Sequence, residues 1–333
     1  MIIVRAPLRI SFVGGGTDLA AYYSKKPGSV ISAAINKYVY VTLTRTPSKK
    51  VSVRYSIGEL VDHPRELQHN RVRAMLLDLD ITDSIEISSF SQIPGQTGLG
   101  SSSAFSVALV KGLHALTGTK LSARACAEEA CRLEIDLLHE PIGKQDQYAS
   151  ALGGLNVMTF HKDESVDVEP LHLDYRRRLA FEDHLLLYFT GITREASSIL
   201  SVQKKNTAAA AHRKTLEKMA ASVPPFKKAL EAGDLRTLAR MLDSGWKAKK
   251  TLAPHITNPA IDDLYARALK AGAWGGKLLG AGGGGCLLFV IEPSKRAPVT
   301  KALDAGAKKH ALENAGAIPF SFAHSGVEII HQQ

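Results

Sequence analysis

Apolar residues along the chain fall into two rhythms. The opening IIVRAPLRISFV alternates roughly, with Ile10 and Phe12 in step, and stops at Gly14-Gly15-Gly16, the period of a strand. KYVYVTLTR (37–45) and KVSVRYS (50–56) are rich in β-branched and aromatic residues and predict a pair of antiparallel strands. A helix is expected over 66–79, after which the strand SIEISSF (84–90) enters a glycine-rich turn. Helical spacing resumes at 102–117 and 122–139, with Ser122 placed to cap the second. Strands near 155–160 and 184–190 flank the middle of the chain. Residues 195–221, 226–232, 235–252 and 259–271 then read as helices, broken by Pro224-Pro225 and Pro254. WGGKLLGAGGGGCLLFVI is a glycine-rich turn feeding a buried strand, 295–314 is helical in pattern, and SGVEII closes the chain as a strand. Strands and helices in runs predict an α+β protein in two parts, 1–178 and 179–333, with a soft boundary near 175–182.

Composition narrows the class. The 333 residues are 45% hydrophobic and 22% charged, as in a soluble globular protein. The longest apolar runs, LLLYF (185–189) and CLLFVI (286–291), are too short to span a bilayer, so no membrane insertion is expected. Arg5 and Arg9 interrupt the apolar N-terminus, no signal-type cleavage segment follows, and a cytoplasmic location is expected. Three cysteines make no disulfide framework, and Cys126 and Cys131 read as buried on one helix. A net charge of +10 suits nucleic acid, an anionic membrane or small phosphorylated ligands. The clusters Arg176–Arg178, Lys204–Lys205 and Lys247–Lys250 come with no nucleic-acid-binding motif and read as solvated surface.

Residues 94–104, PGQTGLGSSSA, carry the strongest chemical signal. Its glycines free the backbone to approach a ligand, and the segment feeds a helix whose first amides and dipole favour an anion. This is a candidate phosphate loop made of Pro94, Gly95, Gln96, Thr97, Gly98, Leu99, Gly100, Ser101, Ser102 and Ser103; an ordinary capped helix after a flexible turn is the alternative. One serine hydroxyl can cap the helix or reach a metal held by the phosphate. It is not a P-loop, because Ser101 rather than lysine follows Gly100. The protein-kinase HRD and DFG elements are also absent. Gly14 and Gly16 follow a strand as in a dinucleotide fingerprint, but Leu19 holds the third glycine position and no ribose-binding acid follows. The pattern points to a nucleotide phosphotransferase outside these classes.

RAPLRISFVGGGTDL (5–19), the serine loop, GKQDQYAS (143–150) and GAGGGGC (280–286) together resemble the GHMP kinases, named for galacto-, homoserine, mevalonate and phosphomevalonate kinases. The family's PxxxGLGSSA loop is matched from Pro94 through Ser102, with Ser103 inserted before Ala104, and Gly280–Gly285 match its late glycine loop. The resemblance spans nearly the whole chain. It implies a two-domain α+β fold, a ribosomal protein S5 domain 2-like half followed by a ferredoxin-like α/β sandwich, with ATP and Mg²⁺ as cofactors. GKQDQ matches an element that galactokinases carry, whereas IGKQDQYASALGGLN with the first motif looks like the D-glycero-D-manno-heptose 7-phosphate kinases. Gly15 and Gly16 stand where galactokinases have Glu and His, which argues against galactose. The implied reaction phosphorylates the anomeric hydroxyl of the heptose 7-phosphate to the 1,7-bisphosphate, for nucleotide-activated heptose and cell-surface polysaccharide. An L-fucose or galactose 1-kinase, or a non-catalytic ligand-binding regulator on the same fold, is the alternative. The implied partners are ATP and a small sugar phosphate, with no nucleic acid; a homodimer is left open.

The resemblance also assigns roles. Asp146 matches the catalytic base and Arg9 the arginine that assists it; a helix-capping aspartate and a surface ion pair are the plainer readings. Ser102 and Glu134 look like the metal pair, although Glu134 also reads as an exposed helical glutamate. Gly15, Gly16, Thr17 and Asp18 form the sugar site, with Thr17 and Asp18 open to capping a helix over 18–24. Lys144, Arg194 and Lys37 are candidates for added positive charge or a distal phosphate. Gly282 and Gly283 belong to the loop that closes over the substrate.

Overall fold

The computed structural model describes residues 1–193 and 210–333. Arg194, Lys204–Lys205 and the first part of the helix expected over 195–221 lie outside the described residues.

The first layer grows on two long strands, β1 (Ile2–Val13) and β2 (Gly28–Arg45), paired antiparallel around the short helix α1 (Ala20–Tyr23). β2 starts well before the expected 37 because VISAAI is buried throughout and shows no alternation. The strands β3 (Val51–Arg54) and β4 (Gly58–Val61) form a hairpin. β3 is not the partner of β2, contrary to the sequence expectation. After helix α2 (Asn70–Asp78), strand β5 (Ile85–Ser91) inserts between them, antiparallel to β2 and parallel to β3. Helix α3 (Ser101–Leu116) follows the serine loop. Helix α4 (Ala123–Cys131) is capped by Ser122, whose Oγ accepts the Ala125 amide at 3.1 Å, and buries both its cysteines. The chain then runs straight into a π-helical turn, Arg132–Leu137, that sequence periodicity did not announce. Helix α5 (Gln145–Leu152), strands β6 (Leu155–Phe160) and β7 (Val166–Pro170), and helix α6 (Tyr175–Asp183) complete this part.

The second layer begins at β8 (Leu185–Phe189). Helices α7 (Ala210–Ala221), α8 (Val223–Ala232), α9 (Leu235–Lys249) and α10 (Pro259–Lys270) precede strands β9 (Gly275–Leu278) and β10 (Cys286–Val290). Pro224 and Pro225 do not break α8: they lie in its first turn, where a missing amide costs no hydrogen bond. Gly275 and Gly276 belong to β9 rather than to a turn, and pair with Val290 and Phe289 of β10. Helix α11 (Arg296–Lys309) leads to β11 (Gly316–Ala317), giving the order β11-β8-β10-β9. That antiparallel βαββαβ sheet is the ferredoxin-like arrangement the resemblance implied. The final strand β12 (Glu328–Gln332) returns to the first layer beside β1, so that sheet runs β12-β1-β2-β5-β3-β4, with β6 also on β2 and β7 outside β6. The chain is a two-part α+β protein. No helix of the described residues is long and apolar enough to cross a membrane.

Candidate active site

A cavity of about 470 Å³ opens between the layers. Gln96, Gly98, Gly100 and Ser101–Ser103 form one side, and the end of β1 and the following turn another through Ser11, Gly15, Gly16 and Asp18. The start of α5 adds Gln145 and Asp146, and the second layer supplies Lys249, Lys277, Gly280 and Ala281.

Arg9 ties these walls together. Its backbone amide donates to the Leu99 carbonyl at 2.9 Å, docking the loop on β1. Its Nε and Nη2 donate to Oδ1 and Oδ2 of Asp146 at 2.7 and 2.6 Å, and Nη1 donates to the Gly98 carbonyl at 2.6 Å. The fork geometry of guanidinium matches a carboxylate in two bonds at once. Arg9 is buried, so the surface ion-pair reading falls. Asp146 does not cap α5 either; Lys144 holds that position with no side-chain bond. Gly100 heads α3 in the left-handed conformation, φ 77°, and no serine caps the helix. A Cβ on Gly100 would stand 3.3 Å from Asp146 Oδ2 and 3.2 Å from Arg9 Cγ. The open amides of the first turn of α3 therefore face the cavity directly beside the carboxylate.

Glu134 is held differently from the expected metal ligand. The π-helical turn brings it inside, with none of its surface exposed. Oε1 accepts from Arg71 Nε at 3.1 Å and Ser106 Oγ at 2.9 Å, and Oε2 from Ser103 Oγ at 2.9 Å and Gln147 Nε2 at 2.5 Å. Two bonds on each oxygen fill a carboxylate's acceptor capacity. Glu134 thus does not share a metal site with Ser102 as arranged here; it anchors Ser103 from behind, while Ser102 faces the cavity. Among the described residues no three acidic, histidine or cysteine side chains converge on a metal position.

The sugar-side candidates separate. Gly15, Gly16 and Asp18 line the cavity. Asp18 Oδ1 accepts the Gly16 amide at 2.9 Å, and burial raises its pKa, with Asp146 adding to the shift. Neither Asp18 nor Thr17 caps α1, whose N-cap is Leu19. Thr17 is buried in the turn, its hydroxyl donating to the Gly14 carbonyl at 2.8 Å and accepting the Ser29 amide at 3.0 Å, so it holds the turn and does not line the cavity. Lys144 points away: its Nζ donates to Glu164 O and Oε2 at 3.0 and 3.1 Å over the Tyr23 ring. Lys37 does not line the cavity. Gly282 and Gly283 pack on Ile256, the latter's amide donating to its carbonyl at 2.8 Å, and it is Gly280 and Ala281 that reach the site. In the serine loop, Pro94, Gly95, Thr97 and Leu99 are likewise supports: Thr97 O, for example, accepts the Cys286 amide at 2.9 Å.

Three cations line the same cavity: Arg71 and Lys277, which sequence reasoning passed over, and Lys249, which the Lys247–Lys250 cluster had placed on the solvated surface. Arg71 bridges Glu134 and Glu140, its Nη2 2.7 Å from Glu140 Oε2. Lys277 Nζ crosses from β9 to donate to Ser11 O and Phe12 O at 2.9 and 2.8 Å. Lys249 ends α9 and donates to the Gly280 carbonyl. Burial, with the Arg9 charge adding, pushes its ammonium down to about 8. Burial lowers the Lys277 ammonium as well, with Lys249 and Arg9 contributing. The signal for Lys249 was its place three residues after Trp246 in a helical repeat, on the buried face. Its neighbours Lys247 and Lys250 do pair at the surface, with Asp243 and Asp262.

The descriptions "GHMP kinases N terminal domain" and "GHMP kinases C terminal" match residues 69–154 and 226–309. The D-glycero-alpha-D-manno-heptose 7-phosphate kinase of Campylobacter jejuni is 31% identical, over 98% of each chain. The L-fucokinase/L-fucose-1-P guanylyltransferase of Bacteroides fragilis is 26% identical over 88% of this chain, which spans 35% of that protein. A crystal structure of a D-glycero-D-manno-heptose 1-phosphate kinase from Bacteroides thetaiotaomicron superposes with a TM-score of 0.79 at 27% identity, covering 98% of both chains.

Proposed function

Because the chain belongs to the GHMP kinases and is a phosphotransferase with an alcohol acceptor, we propose that it transfers the terminal phosphoryl group of ATP to the anomeric hydroxyl of D-glycero-D-manno-heptose 7-phosphate. The observation that carries this reading is the Arg9–Asp146 clamp beside the open end of α3. The amides at that end bind the nucleotide phosphates, and Asp18 and Gln145 orient the sugar. Asp146 accepts the proton of the anomeric hydroxyl as its oxygen bonds to the terminal phosphorus. The bond from that phosphorus to the bridging oxygen breaks, and ADP leaves with the electron pair. Arg9 keeps the carboxylate oriented and offsets charge spreading over the transferred group. Ser102 Oγ is the protein oxygen that would meet a nucleotide-bound Mg²⁺ ion, whose chemistry is charge neutralisation on the phosphates. Glu134 does not fit as a ligand while its four donors hold.

Support for the acceptor comes from the relative named for D-glycero-alpha-D-manno-heptose 7-phosphate, while the solved relative named for the 1-phosphate supports the heptose alone. Gly15 and Gly16 put no side chain into this part of the cavity wall, where galactokinases carry Glu and His. The test is ADP release with heptose 7-phosphate, free heptose, L-fucose and galactose as acceptors. Heptose 7-phosphate is expected to give the highest kcat/KM; preference for any unphosphorylated sugar rejects the assignment.

A further inference from the structure

The cavity's cations differ in how many donors they have already spent. Arg9 uses Nε and Nη2 on Asp146 and Nη1 on the Gly98 carbonyl, so each of its nitrogens is engaged. Arg71 is divided between Glu134 and Glu140. Lys277 uses two of its three ammonium hydrogens on the carbonyls of Ser11 and Phe12, as a strut between the layers. Among the described residues Lys249 makes one hydrogen bond, to the Gly280 carbonyl, and it lines the cavity with two donors left over. That one bond locates it. Gly280 lies against the serine loop, where a Cβ on it would stand 2.5 Å from Gly98 Cα. Gly98 is the residue whose carbonyl Arg9 holds, and Gly100 heads α3 beside Asp146, an added Cβ there meeting Oδ2 at 3.3 Å. The first amides of α3, the Asp146 carboxylate and the Lys249 ammonium thus converge on Gly98–Gly100. A phosphoryl group passing from nucleotide to acceptor lies between those amides and that carboxylate. Its charge spreads over three equatorial oxygens, while the α3 amides and Arg9 approach from the first layer alone. An ammonium with spare donors on the second-layer wall is matched to the oxygens they leave uncovered.

We propose that Lys249 is a catalytic residue, its Nζ contacting the non-bridging oxygens of the transferred phosphoryl group from the second layer. This role rests on the ATP half of the reading above and deepens it. No proton or covalent bond changes hands at Lys249. It supplies charge and hydrogen bonds where negative charge passes from the nucleotide to the acceptor, so the second layer takes part in the transfer as well as enclosing it.

Two measurements decide it, and the first needs no acceptor. In calorimetry with Mg²⁺ present, Lys249→Met should weaken a non-hydrolysable ATP analogue by about 10- to 100-fold, the range for a lost charge-assisted bond, and change ADP affinity by less than about twofold. Unchanged ADP affinity also shows that the variant is folded. In turnover, Lys249→Met should lower kcat by about 100- to 1,000-fold with any acceptor the protein accepts and leave KM for that acceptor within about twofold; Lys249→Arg should recover most of the rate. An equal loss for ADP and the analogue overturns the proposal, because Lys249 then serves the inner phosphates or the fold. So does a rise in acceptor KM with kcat and analogue binding unchanged, which puts Lys249 on the sugar. A Lys249-dependent kcat in a protein that prefers another sugar rejects the heptose assignment and leaves this role standing, whereas a protein that binds neither nucleotide rejects both.

Discussion

Arg9 fixes the geometry of the site through one side chain and one amide. Its guanidinium engages both Asp146 oxygens and the Gly98 carbonyl, which a lysine's single ammonium cannot reproduce in a plane. Arg9→Lys should therefore lower kcat by about 100- to 1,000-fold, the scale for losing one preorganised electrostatic contact, while ATP affinity by equilibrium titration changes little. Lys249 sets a different dependence, on pH. Its ammonium is pushed down to about 8 by burial and Arg9, with Lys277 beside it and Asp18 opposing. The cation is present below that value and lost above it. Turnover that draws on positive charge at this wall of the cavity should accordingly fall above pH 8 in a pH–rate profile, and Lys249→Arg should remove that limb. Linkage has the opposite sign: an unfolded chain keeps the proton up to about 10.5, so this group's contribution to stability improves as pH rises from about 8 towards that value.

The serine loop is held in place by contact between backbones. Gly98 has φ 77°, and a Cβ there would lie 2.7 Å from the Leu279 carbonyl of the second layer. Gly98→Ala should destabilise the fold by about 1–3 kcal/mol, read as a lower thermal midpoint, and should raise KM for ATP because the loop must shift to fit the methyl. This loop was legible from residue types alone, since glycine and serine spacing before an apolar helical repeat has a direct physical meaning. So were β1, β5, β6, β8 and β10, whose apolar runs are strand-length and bounded by turns. The pairing of β3 was not, because a short connection from β2 looks the same whether the strands are neighbours or β5 comes between them. Two glycines disguised β9 and, with it, Lys277. The π-helical turn leaves no trace in apolar periodicity, yet it decides that Glu134 faces Ser103, Ser106, Gln147 and Arg71 rather than solvent. Asp146 and Arg9 could be singled out only through resemblance; their contact joins positions 137 residues apart, which local pattern cannot report.

The whole molecule closes around the cavity because its two layers share a core. Phe12 of β1 packs against Phe181, Phe226 and Phe322 at ring-centroid distances of 5.3, 5.9 and 6.2 Å, and Phe226 belongs to α8. Lys277 crosses to β1 at the next turn of the wall, the Cys286 amide reaches Thr97, and β12 returns to the first sheet. If these contacts were merely a seam, each layer would unfold alone, and damage to β1 would leave the second layer intact. The two tryptophans, Trp246 and Trp274, both lie in the second half of the chain, so their fluorescence reports that layer selectively. Phe12→Ala removes a buried ring from the first layer, a change that costs about 3–5 kcal/mol where the space cannot collapse. With a shared core, the tryptophan transition in urea should move to lower denaturant by the same amount as the far-ultraviolet circular dichroism, keeping one midpoint. A tryptophan midpoint left in place while the dichroism splits into two steps would mean that the layers are stable separately. In that case their contacts across the cavity would be a docking of finished halves rather than the condition for forming the site.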